Sequence, residues 1–162
     1  MTAQPMTLSR EEQKEAERPF LLFVCTGNTC RSPMAAALYN AGRGEDEPIA
    51  FSAGLFASEG APISSGALTA LLESGVAVCP ENDYTKHEAR NVSEEMMRDA
   101  KRVFAISASH AMQLLMRYPQ YAEKIETLPM DVADPFGGND AVYRACLSQL
   151  QFCIAALKGE AL

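Results

Sequence analysis

A cysteine at position 25 and an arginine at position 31 bracket a short polar loop, "CTGNTCRS", set between the apolar run "FLLFV" and the helical run "PMAAALYNAG". Gly27 and Asn28 are residue types that tolerate positive φ. A turn built on them can aim successive backbone N–H groups inward as an anion nest. A helix starting near Pro33 adds its unpaired N–H groups and the positive end of its dipole. The planar guanidinium of Arg31 can grip two oxygens of the same anion. Thr26, Gly27, Asn28, Thr29, Cys30, Arg31 and Ser32 are therefore candidate phosphate-binding residues. Cys25 stands at the base of the nest. N–H dipoles, a helix N-terminus and Arg31 all favour its thiolate, so its pKa is expected to fall. A thiolate beneath a bound phosphoryl group is a nucleophile aimed at phosphorus. Ser32 can hydrogen-bond that thiolate when it leaves in a second step. Taken alone, Cys-x5-Arg also fits a buried strand-end cysteine, a solvated arginine and an ordinary Ser-Pro helix start.

A phosphoryl leaving group needs a proton. "DVADPFGG" offers two carboxyl groups, Asp131 and Asp134. Asp134 precedes Pro135 in a Gly-rich loop after the last strand candidate, and there it can overhang the nest. An Asp-Pro pair also starts ordinary turns; the upstream loop is what favours Asp134 as the acid, with Asp131 second.

The elements that would hold these groups alternate. "FLLFV" reads as a strand buried on both faces. "IAFSAG", "KRVFAIS" and a short piece of "KIETLPM" read as three more strands. Helices are expected over 33–42, 62–75, 92–100 with Ser93 as cap, 109–119, and 140–159 with Asp140 at its start. That order argues for an α/β domain, a parallel sheet covered by helices, with the nest at the sheet's carboxyl edge where such folds bind ligands. Residues 19–162 are expected to form one domain. Residues 1–18 read as an extension, either a short helix capped through Ser9 and Glu12 or a solvated tail.

The 162 residues carry a net charge of −7 and are 48% hydrophobic, which supports a core and disfavours nucleic acid or anionic membrane as partner. There is no apolar run to span a bilayer and no signal peptide, so a soluble cytoplasmic protein is expected. Five cysteines, an odd number, do not read as a disulfide framework. Cys146 and Cys153 share a helix face and read as core, Cys79 as structural.

"VCTGNTCRSPMA" resembles the phosphate-binding loop of the low-molecular-weight protein tyrosine phosphatases, and "FSAG", "HEAR" and "DPFGG" follow in that family's order. The resemblance spans Pro19 to the end. It implies a flavodoxin-like, three-layer fold: a four-stranded parallel sheet with helices on both faces. It also implies a mechanism without metal or cofactor, through a cysteinyl phosphate, with Cys25, Arg31 and Asp134 catalytic and inorganic phosphate as product. Asn28, Ser32, Ser52 and His87 match positions that brace the loop. Only the resemblance promotes Ser52 and His87; His110 gains no such support. Cys30 has two readings, a reversible disulfide with Cys25 or a small buried side chain.

Many tyrosine-directed members carry an apolar residue where this chain has Thr29, and more aromatic residues after the Asp-Pro pair. Threonine there and a single Phe136 before two glycines resemble the protein arginine phosphatase branch. The chemistry agrees: Thr29 and Asp134 can face a guanidinium's N–H groups, and Phe136 can stack on its plane. The expected substrates are phosphorylated proteins, with phosphoarginine favoured over phosphotyrosine. An arsenate reductase would need redox cysteines that "VFAISASHAMQ" lacks. A non-catalytic phospho-residue binder would lack the nucleophile or the acid.

Overall fold

The computed structural model describes residues 19–160; the reading of residues 1–18 lies outside them. Strands β1 (Phe20–Cys25), β2 (Ile49–Gly54), β3 (Arg102–Ala105) and β4 (Ile125–Thr127) form one sheet in the order β2-β1-β3-β4, every pair parallel. Helices α1 (Arg31–Ala41), α2 (Ser65–Glu73), α3 (Glu94–Asp99), α4 (Ala108–Arg117) and α5 (Asp140–Lys158) cover it, with short 3₁₀ turns at Pro80–Asn82, Tyr84–Lys86 and Pro119–Lys124.

β1 explains why the fold closes this way. All six of its residues are buried, because both faces of a central parallel strand are covered. Its side chains alternate between two cores. Leu21, Phe23 and Cys25 join the core made with α1, α2 and α5, including Met34, Leu71, Leu147 and Leu150. Phe20, Leu22 and Val24 join a second core with Met97 of α3 and Leu114 of α4. Phe23 stacks on Phe104 at 5.5 Å between ring centroids. Truncating such a ring to alanine costs about 3–5 kcal/mol.

Two boundaries shift in ways that matter for the site. β1 runs through Cys25, and α1 begins at Arg31 rather than Pro33. Only residues 26–30 therefore connect them, and Arg31 and Ser32 belong to the first helical turn. α2 is shorter than the periodicity predicts, because Ser64 caps it by accepting from the Ala67 N–H. At α5 the cap is Asn139, which accepts from the Val142 N–H, so Asp140 is the first helical residue. Ser93 caps α3 as its sequence suggests.

Candidate active site

The loop after β1 lies at the carboxyl edge of the sheet. Asn28 takes the left-handed conformation there, φ 57°, which asparagine tolerates. Its carboxamide organises the loop from within. Nδ2 donates to Ser32 Oγ at 2.8 Å and to Ser52 Oγ at 2.9 Å, while Oδ1 accepts the Arg90 N–H at 3.0 Å. His87 Nε2 lies 2.7 Å from the Asn28 carbonyl oxygen. Asn28, Ser32 and Ser52 are all buried. Gly54 ends β2 so close to this loop that a Cβ would stand 2.5 Å from the Thr26 carbonyl oxygen. No side chain fits there without moving the backbone that forms the nest.

Cys25 Sγ is 2.9 Å from Ser32 Oγ and only 3% of the residue is exposed. Burial pushes the thiol up. The Ser32 hydroxyl, the backbone N–H groups of Ser32 and Asn28, and the Arg31 charge pull it down, but not far enough. The donors expected from the sequence surround the sulfur, yet the expected fall in pKa does not follow, because removing a thiolate from water costs more than they return.

Arg31 is not the solvated arginine of the plainer reading; it is 8% exposed. Nη1 donates to the Val132 carbonyl oxygen at 3.1 Å, and Nη2 stands 3.6 Å from Asp134 Oδ2. The guanidinium thus ties the loop after β4 to the loop after β1. Asp134 is half exposed and accepts the Phe136 N–H at 3.1 Å. A pocket of about 190 Å³ is lined by residues 25–31 together with Asp134 and Phe136. Asp131 is placed elsewhere: its Oδ1 accepts the Ala108 N–H at the start of α4, at 3.0 Å.

His110, which gains no support from the resemblance, is 2% exposed and lies beside the site. Its Nε2 is 2.9 Å from Thr26 Oγ1 and its Nδ1 is 2.9 Å from Ser107 Oγ. Burial, with the Arg31 charge second, pushes its pKa down to about 4 against the pull of Asp134 and Asp131. A neutral imidazole donates from one nitrogen and accepts at the other, so Thr26, His110 and Ser107 form a continuous chain. The Ser-x-x-His spacing at the end of a strand was its only trace in the sequence. Arg90 was missed as well: besides its N–H contact, its Nε donates to the Ser52 carbonyl oxygen at 3.1 Å.

Cys30 is buried, with Sγ 3.2 Å from Ser64 Oγ and 3.5 Å from Tyr143 Oη. The Ser64 N–H donates to the Thr29 carbonyl oxygen at 2.9 Å, so the cap of α2 also fixes the backbone at Thr29. Cys146 and Cys153 are buried in the core, whereas Cys79 is exposed ahead of the first 3₁₀ turn.

Together these groups define an α/β protein with a pocket in the loop at the carboxyl edge of a parallel sheet, a sulfur at its base and a carboxyl group across its mouth. Residues 20–161 match the family described as low molecular weight phosphotyrosine protein phosphatase, and the chain belongs to that family. It is 38% identical over 144 residues to a protein-arginine-phosphatase of Geobacillus stearothermophilus, covering 85% of this chain and 92% of that one. The solved structure of the YwlE arginine phosphatase from the same organism superposes with a TM-score of 0.79 at 36% identity, covering 87% and 91% of the two chains. The low molecular weight protein-tyrosine-phosphatase PtpB of Staphylococcus haemolyticus is 31% identical over 144 residues, covering 85% and 96%.

Proposed function

We propose that the chain removes phosphoryl groups from arginine residues of proteins through a phosphorylated Cys25. The observation that carries this reading is the wall of the pocket: Thr29, Asp134 and Phe136 line it around Cys25. A hydroxyl and a carboxyl oxygen accept from a guanidinium's N–H groups, and an aromatic face takes its plane. The likeness to proteins named as arginine phosphatases supports the same substrate.

In the first step the phosphoryl oxygens sit against the loop amides and Arg31. The Cys25 sulfur attacks phosphorus and the P–N bond breaks. The thiol proton passes to an oxygen of the phosphoryl dianion, and the Asp134 carboxyl group gives its proton to the departing guanidine nitrogen. In the second step water attacks phosphorus and gives a proton to the Asp134 carboxylate. The S–P bond breaks, releasing a thiolate that the Ser32 hydroxyl and the amides receive, and the departing phosphate returns to it the proton taken in the first step. Asn28, Ser52, His87 and Arg90 act by holding the loop, not by touching substrate.

A phosphotyrosine reading is favoured by one feature, the aromatic ring of Phe136 at the pocket, which packs against a phenyl group as readily as against a guanidinium. Among the described residues no helix is long and apolar enough to cross a membrane. Free thiols at all five cysteines suit the cytoplasm, where thiols stay reduced.

The test is to mix the Ser32→Ala protein, whose second step should be slowed, with a phosphoarginyl peptide, quench during turnover and locate the phosphate by mass spectrometry. The reading expects it on Cys25. A phosphorylated residue elsewhere, or no phosphoenzyme alongside continuing turnover, contradicts it.

A further inference from the structure

A second cavity, of about 360 Å³, adjoins the catalytic pocket, and Phe136 lines both. The ring is 76% exposed and borders both hollows. The far side is walled by Ser64, Thr69, Tyr143, the bare backbone of Gly137 and Gly138, and Asp140.

Asp140 is the one charged group on that lining. Its carboxylate is not occupied in capping α5, since Asn139 does that, and among the described residues it makes no hydrogen bond or ion pair. Thr69 adds a hydroxyl acceptor. The cavity therefore offers acceptors and one negative charge to a group that carries only donors. Lysine and arginine side chains fit that chemistry, with their stems along Phe136 and the glycine backbone and their charge at Asp140. The net charge of −7 favours the same sign of partner.

We propose that this cavity receives a cationic side chain two positions from the phosphorylated residue of a substrate polypeptide. Along an extended chain, side chains on one face recur every second residue, roughly 7 Å apart, a spacing suited to straddling a single aromatic ring. The inference rests on the phosphatase reading above and deepens it, because it names a feature of the polypeptide that the enzyme selects.

The experiment uses the full chain and two peptide series, one with phosphoarginine and one with phosphotyrosine. In each series a single lysine is moved from three residues before to three residues after the phosphorylated position in an alanine background, with glutamate as the control. We expect kcat/KM to rise about threefold with lysine two positions away, the size of a partly exposed ion pair, and to fall below the alanine peptide with glutamate there. Asp140→Asn should abolish the lysine preference, and Thr69→Lys, which puts a competing cation on the same wall, should abolish it too. Cleavage with no preference at that position overturns the inference alone. So does a preference that survives both substitutions. If neither series is cleaved, the phosphatase reading falls and takes the inference with it.

Discussion

Arg31 Nη2 stands 3.6 Å from Asp134 Oδ2, so the arginine at the start of α1 also holds the carboxyl group across the pocket. The same guanidinium bonds the Val132 carbonyl oxygen at 3.1 Å. One planar fork thus sets the distance between the two halves of the site. Arg31→Lys keeps the charge and loses the fork. Losing one charge-assisted hydrogen bond costs about 1.5–3 kcal/mol, so kcat/KM should fall by roughly ten- to a hundredfold or more. Steady-state kinetics at several pH values checks this, and near-normal activity would remove the fork from the mechanism.

Asp134 is proposed to supply the leaving-group proton. Its replacement should therefore hurt most where the leaving group needs that proton. Asp134→Asn should lower kcat on a phosphoarginyl peptide by about 10²–10⁴ and do much less to the first step with p-nitrophenyl phosphate, whose leaving group departs unaided. Single-turnover rates on the two substrates give the comparison; equal losses would assign Asp134 to positioning only.

Ser32 is among the groups that hold the Cys25 thiol down against burial. Ser32→Ala should move the pH midpoint of Cys25 alkylation by iodoacetamide upward. The same change should slow release of the sulfur in the second step, so a larger fraction of enzyme stands phosphorylated during turnover. An unmoved midpoint would mean that burial, the amides and Arg31 set the sulfur's proton affinity without Ser32.

His110 carries a consequence for stability. Its folded pKa of about 4 lies below its ordinary 6.5. Between those values the unfolded chain binds the extra proton and the folded chain does not. Stability is therefore fully present above pH 6.5 and is lost as pH falls toward 4, by roughly 3 kcal/mol. His87, also pushed down by burial, contributes to the same slope. The difference between the wild type and His110→Asn isolates His110: the variant's stability, from denaturant melts across that range, should depend less on pH. Thr26→Val should be non-additive with it, because the two side chains share one hydrogen bond.

Local signals carried most of the fold into the sequence. The alternation of short apolar runs with capped helices gave the parallel sheet, and Gly27, Asn28, Ser32 and Pro33 marked a tight strand-to-helix turn after Cys25. Contacts across long sequence separations were silent. Nothing near position 110 indicates that His110 meets Thr26, 84 residues away. Asn28 reaches Ser52 because parallel pairing brings the ends of β1 and β2 together, and Arg90 because its segment bridges to Gly54 at the end of β2. The same burial that forms the core reversed the expected shift at Cys25, since the sequence displays the donors around a sulfur but not its depth.

The central claim is tested most directly by kcat/KM for one peptide sequence carrying either phosphoarginine or phosphotyrosine, measured on the wild type and on Thr29→Ile. The account predicts faster cleavage of the phosphoarginyl peptide by the wild type, and a shift toward phosphotyrosine when the Thr29 hydroxyl is replaced by an apolar side chain. Strong phosphotyrosine preference in the wild type, unaffected by Thr29→Ile, would contradict it.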